Sequence, residues 1–235
     1  MIFVRESQGI EELERLGEFN NIRYSPDMVL TNRKEVNWKY IYKRDIHNRE
    51  FDILPNSVAV IPNMRNFDHG NRNNIMNIYK EAIRKILSED KNVYLIRHSG
   101  EDLKACIMIK EMFAEDSKVM LIQDDMTPAE FENLIKQFDF SIGSRFHSIV
   151  HAYKECVPCL ILGWAIKYRS LAELFGQSDY VFDVRDSDMN NAFLLSLDKM
   201  FSMFNEEKNN IAKILANSND LADPFDVAFE MLDSK

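Results

Sequence analysis

From Ser57 onward, apolar runs of strand length alternate with segments whose apolar positions recur every three to four residues. SVAVIPNM (57–64), NVYLIRHS (92–99), KVMLIQD (118–124), FDFSIGS (138–144), VPCLILG (157–163) and YVFDV (180–184) read as strands rich in Val, Ile and Leu. Between them, NNIMNIYKEAIRKIL places Ile75, Ile78, Tyr79, Ala82, Ile83 and Ile86 on one helical face. Further helices are expected over DLKACIMIKEMF, RFHSIVHAYKE and KYRSLAELFG. Thr127, followed by Pro128 and Glu130, has the spacing of a capping box that opens another helix. From about Asn190 the chain reads as helical and ends in a polar tail.

Near-continuously apolar strands separated by helices predict a parallel sheet covered on both faces. The expected fold class is therefore α/β: a doubly wound, Rossmann-like sheet with right-handed crossovers. The first 56 residues stand apart from that unit. MIFVRE reads as a strand, EELERLG as a short helix closed by Gly17, and Asn32–Asn56 as a linker or hairpin. The expected division is thus 1–56, the last βα piece of a preceding α/β domain plus a linker, and 57–235, a Rossmann-like domain with a helical extension.

Composition narrows the classes. The chain has 235 residues, 46% hydrophobic and 29% charged, enough to bury a core. No run approaches the roughly 18 apolar residues of a membrane span. MIFVRESQGI is too short and too early charged for a signal peptide. The expected compartment is the cytoplasm, which allows work at the inner face of the membrane. The net charge of −9 and the lack of a basic stripe argue against nucleic acid as a partner. Cys156 and Cys159 form C-x-x-C, but with a helix before the pair and a strand after it, the reverse of a redox motif. They are read as small buried residues.

Ligands of open α/β sheets sit beyond the carboxyl ends of the strands. Those ends carry Asn63 and Arg65; Arg97, His98 and Ser99; Gly143, Ser144, Arg145 and His147; and Gly163, Trp164 and Lys167. Basic and hydrogen-bonding groups gathered at one edge of an acidic chain suggest an anion site, reinforced by free N–H groups at a helix N-terminus after Gly143–Ser144. On a wheel of about 100° per residue, Ile149, Val150 and Tyr153 lie within about 60° of Phe146, whereas His147 lies about 100° and His151 about 140° away. His147 is therefore not core filler, though a capping or supporting role stays open beside a catalytic one. His147 and His151 have i, i+4 spacing, but no third ligand accompanies them and no metal is expected. A surface ion pair stays open for Arg145 and a solvated role for Lys167. A lysine in the first turn of a helix opposes the dipole unless an anion lies there.

Four blocks make this chain resemble the polysaccharide pyruvyl transferase family: V-R-E-S with L-E-R-L-G and S-P-D-M-V-L (4–7, 13–17, 25–30); the basic strand end from Arg97 to Asp102; D-F-S-I-G-S-R-F-H-S-I-V-H-A (139–152); and V-P-C-L-I-L-G-W-A-I-K-Y-R-S-L-A-E-L-F-G (157–176). The resemblance implies a two-domain GT-B-type architecture, of which this chain matches the C-terminal, donor-binding part. It implies phosphoenolpyruvate as donor substrate with no cofactor, a glycan or lipid-linked sugar as acceptor, and a pyruvate ketal of a cell-envelope or exopolysaccharide sugar as product. Arg145, His147 and Lys167 are the implied catalytic residues, with Arg5 joining them through the V-R-E-S block. Members carry a further domain before the V-R-E strand. The expectation is therefore a cleft completed by a partner domain or a homo-oligomer. A GT-B glycosyltransferase using a nucleotide sugar, and a non-catalytic binding half, are the alternatives.

Overall fold

A computed structural model describes residues 1–17, 21–31, 51–217 and 224–233. The core is a six-stranded, wholly parallel sheet formed by β3 (Ser57–Ile61), β4 (Asn92–Ile96), β5 (Val119–Ile122), β6 (Phe140–Gly143), β7 (Cys159–Gly163) and β8 (Val181–Asp183). Its order is β5-β4-β3-β6-β7-β8, so the winding reverses between β3 and β6. That reversal opens a crevice at the carboxyl edge, where ligands of this architecture bind.

Alternation along the strands sorts the two faces. Val58, Val60, Val93, Leu95, Phe140, Ile142, Leu160 and Leu162 pack on one side. There they meet α4 (Arg72–Ser88), α5 (Leu103–Glu111) and the 29-residue α9 (Met189–Asn217). Ala59, Ile61, Tyr94, Ile96, Cys159 and Ile161 face the other side. They are covered by α6 (Pro128–Ile135), α7 (Phe146–Lys154) and α8 (Ile166–Leu174). The central strands β3, β6 and β7 are buried along their whole length, whereas the edge strands β5 and β8 are only partly covered. This is the pattern of a sheet sandwiched between helical layers.

The first strand ends at Ile61 rather than running on to Met64. Pro62 lacks the N–H that would continue the ladder, and Asn63 turns its amide to the Ser144 carbonyl instead (3.0 Å). Thr127 and Glu130 cap α6 reciprocally: the Thr127 N–H donates to the Glu130 carboxylate (2.7 Å) and the Glu130 N–H to the Thr127 hydroxyl (3.2 Å). Two short helices complete the domain, α3 (Asn66–His69) before α4 and α10 (Pro224–Asp233) after α9. Among the described residues no helix is long and apolar enough to cross a membrane.

At the N-terminus, β1 (Ile2–Val4) and β2 (Ile22–Tyr24) form a separate two-stranded parallel sheet around α1 (Ser7–Leu16). A short helix, α2 (Met28–Thr31), then brings Leu30 into the cluster of Phe146, Ile149 and Val150. The linker or hairpin expected over 32–56 lies outside the described residues as far as 50, and 51–56 have no regular structure.

Candidate active site

Arg145 closes β6 and opens α7, and its guanidinium turns back toward the end of β4. Nε donates to Asp102 Oδ2 at 2.8 Å, and Nη2 donates to Asp102 Oδ1 at 2.6 Å and to Glu101 Oε1 at 2.5 Å. Asp102 is wholly buried and also accepts the N–H groups of Met64 (3.0 Å) and Ser99 (3.0 Å). One carboxylate therefore ties together the loops after β3, β4 and β6 at the switch point. Exposed Arg65 approaches Glu101 at 3.4 Å and Asp68 at 3.3 Å.

Ser144 is absorbed by the fold. Its N–H reaches Ile61, its hydroxyl pairs with Tyr79 (2.9 Å), and its carbonyl accepts from Asn63 and Tyr168 (3.0 Å each). Gly143 and Gly163 are small for packing reasons. A Cβ at Gly143 would stand 2.8 Å from the Cys159 sulfur, and one at Gly163 would stand 2.6 Å from the Tyr168 ring. Trp164 stacks on His69, centroids 4.3 Å apart, and packs against the core rather than facing Lys167.

Two cations gather around the first residue of α7. The buried Phe146 ring lies beneath two cations, with the Arg5 guanidinium 4.4 Å and the Lys167 ammonium 5.1 Å from its centroid. Arg5 is held by Glu6 (2.8 Å) and Asp27 (3.2 Å). Lys167 has no ion pair among the described residues. Burial, and then the neighbouring Arg5, lower its pKa from the ordinary lysine value. Neither α7 nor α8 has a side-chain N-cap, and both helices begin near these cations.

His147 is exposed at the rim, with Nε2 3.7 Å from Asp27 Oδ2. Its pKa is lowered by partial desolvation first, while Asp27 pulls it upward and His151, Arg5 and Lys167 push it down. It also lines a second cleft with Arg97 and His98. His151, in contrast, is buried and bonded to Glu132 of α6 (2.8 Å), although it lines the same cleft as His147.

The expected residues thus separate into three groups at one edge. Arg5 and Lys167 flank Phe146. Arg145 and Arg65 face Glu101, with Arg145 anchored on Asp102. Arg97, His98 and His147 share a cleft. Asn63, Ser99, Gly143, Ser144 and Gly163 brace the loops between them. Asp27 and Asp102 were missed as individual residues. Each lies inside a quoted block, but an aspartate just before a helix looks like an ordinary cap.

The family model for polysaccharide pyruvyl transferase matches residues 1–165, from β1 through β7. The chain belongs to the polysaccharide pyruvyl transferase family. No curated protein matches it. Among solved structures, the GtfA/B complex superimposes with a TM-score of 0.60 at 14% identity, covering 98% of this chain and 45% of that one. A UDP-GlcNAc 2-epimerase from Methanocaldococcus jannaschii, in complex with UDP-GlcNAc and UDP, gives 0.56 at 15% identity, covering 92% and 60%. The S. aureus MnaA–UDP structure gives 0.56 at 12% identity, covering 89% and 52%. At these identities the likeness is one of fold: this member of the pyruvyl transferase family has the six-stranded half of a GT-B enzyme. It spans about half the length of the solved structures it matches.

Proposed function

We propose that this chain serves pyruvyl transfer from phosphoenolpyruvate to two hydroxyls of a sugar in a cell-envelope glycan, forming a pyruvate ketal. The carrying observation is the Arg5–Phe146–Lys167 arrangement beside His147, in a chain of the pyruvyl transferase family. Lys167 is a partly desolvated cation with no direct ion pair among the described residues, though it feels the charge of Glu6, and two helix N-termini without side-chain caps lie nearby. That combination suits the phosphate and carboxylate of the donor.

In this reading the reaction forms two C–O bonds at the enol carbon and breaks the C–O bond to phosphate. The vinyl CH2 gains one proton and becomes methyl. Of the two hydroxyl protons released, one balances that gain and the other leaves with phosphate. His147, neutral at neutral pH because its pKa is lowered, accepts a proton from an attacking hydroxyl. Arg145, held in place by Asp102, offers its remaining edge to developing negative charge in place of Glu101.

The test is calorimetric titration of the full chain with phosphoenolpyruvate at low and high salt, with UDP as the comparison ligand. Donor binding that weakens with salt and is weakened about 10- to 100-fold in Lys167→Met supports the reading. Binding of UDP and not of phosphoenolpyruvate refutes it.

A further inference from the structure

The cleft between the β5–α6 turn and α7 has a different chemistry from the cationic rim around Phe146. It encloses about 350 Å³ and is walled by Val29, Arg97, His98, Met126, Phe131 and His147, among others. That volume is at the small end of the roughly 300–1,000 Å³ of small-molecule sites. Its positive charge is spent internally, because Arg97 pairs with Asp125. His98 stands edge-on to Phe131, centroids 5.1 Å apart, and makes no hydrogen bond among the described residues. Burial, followed by the nearby His151, lowers its pKa to about 4, so at neutral pH it presents one N–H donor and one ring-nitrogen acceptor without charge. Partly exposed Val29 and Met126 supply apolar lining in front of the buried Phe131, and the capping box of α6 fixes the adjoining turn.

We infer that this cleft seats the neutral sugar ring of the acceptor, with the partly exposed Val29 and Met126 against its C–H groups and His98 bonded to a ring hydroxyl. The inference rests on the pyruvyl-transfer reading of the same edge. Among the described residues an anion finds no free cation here, whereas a polyhydroxylated ring finds apolar lining groups and an imidazole without a hydrogen-bond partner. His147 lines this cleft and also feels the charges of Arg5 and Lys167. A hydroxyl held here therefore meets the donor at His147, between the two places. The solved structures described above do not assign this role, since their likeness extends to fold alone.

The experiment uses the full chain with 13C-labelled histidine rings, His98 being assigned by loss of its resonance in His98→Asn. Methyl β-D-glucopyranoside, methyl β-D-galactopyranoside and methyl N-acetyl-β-D-glucosaminide are titrated separately, alongside phosphoenolpyruvate and UDP. At least one glycoside is expected to shift His98 and His147, and phosphoenolpyruvate to shift His147 alone. Met126→Trp, which fills the cleft, raises the glycoside dissociation constant at least ten-fold and leaves the phosphoenolpyruvate titration within two-fold. His98→Asn, a smaller change, weakens the glycoside shift of His147 in the same direction. Glycosides that all leave His98 unmoved, or a His98 shift produced by UDP and by no glycoside, overturn the inference. A glycoside response blocked by Met126→Trp, in a chain that ignores phosphoenolpyruvate, keeps the sugar site and refutes the pyruvyl-transfer reading instead.

Discussion

Arg145 and Asp102 meet in a two-point pair, Nε to Oδ2 at 2.8 Å and Nη2 to Oδ1 at 2.6 Å, across 43 residues of sequence. Because Asp102 is wholly buried and also receives two backbone N–H groups, the pair is both an orienting device and a staple between three loops. Removing one partner strands a buried charge, which typically costs 3–5 kcal/mol. Asp102→Ala is expected to lower stability by about 3 kcal/mol, the lower end, because Arg145 keeps some contact with solvent. Urea denaturation measures it. Asp102→Leu combined with Arg145→Met should cost less than the sum of the single changes, since neither charge is then left alone.

Lys167 carries the donor prediction. A hydrogen bond to a charged group contributes about 1.5–3 kcal/mol, so Lys167→Met should weaken phosphoenolpyruvate binding by about 10- to 100-fold. The wild-type affinity should fall with salt, and the residual affinity of the variant should depend on salt less steeply. Parallel salt dependence in the two proteins would place the anion elsewhere.

His147 sets an acid limb. Desolvation holds its pKa below the ordinary histidine value, so the neutral base predominates at pH 7 and is lost only as pH falls further. The rate should therefore be flat through neutrality and decline only at more acidic pH than an ordinary histidine would set. Asp27→Asn removes the charge that pulls His147 upward, so the limb should move to still lower pH. A pH–rate profile, or the His147 ring resonance against pH, decides the direction. His147→Gln should reduce turnover by about 10²–10⁴-fold while donor binding persists.

His98 links stability to acidity. Its folded pKa of about 4 lies below the roughly 6.5 of an unfolded histidine, so the unfolded chain takes up the proton first as pH falls. Stability is fully present above about pH 6.5 and is lost between there and about pH 4. The contribution is about 3 kcal/mol at about 1.4 kcal/mol per pH unit. Thermal melts across that window should show a shallower acid decline in His98→Asn than in wild type.

Thr127→Ala tests the turn over the second cleft. Loss of an N-cap hydroxyl costs about 1 kcal/mol, and the Glu130 carboxylate keeps its bond to the Thr127 N–H position. The expected result is a small fall in stability with donor binding unchanged, measured by denaturation and calorimetry.

Much of the fold was written in local chemistry. Hydrophobic periodicity separated six strands from the helices between them, the Thr127–Pro128–Glu130 spacing marked the start of α6, and four motif blocks carried the family. Periodicity also marked His147 as off the core face, and it is exposed. What it could not supply was strand order, because pairing of β3 with both β4 and β6 depends on contacts about 35 and 80 residues apart. Nor could it say which polar groups at the strand ends are satisfied. Asn63, Ser99 and Ser144 look as available in sequence as Lys167, yet Asn63 and Ser144 are spent on their neighbours and the Ser99 N–H on Asp102. His151 was placed off the core face by the helical wheel, but α6 packs over that side and supplies Glu132. A carboxylate such as Asp102 reads locally as a helix start; only the folded chain brings Arg145 to it. Element identity follows from near neighbours along the chain, whereas the charge state and availability of a side chain follow from what packs against it in space.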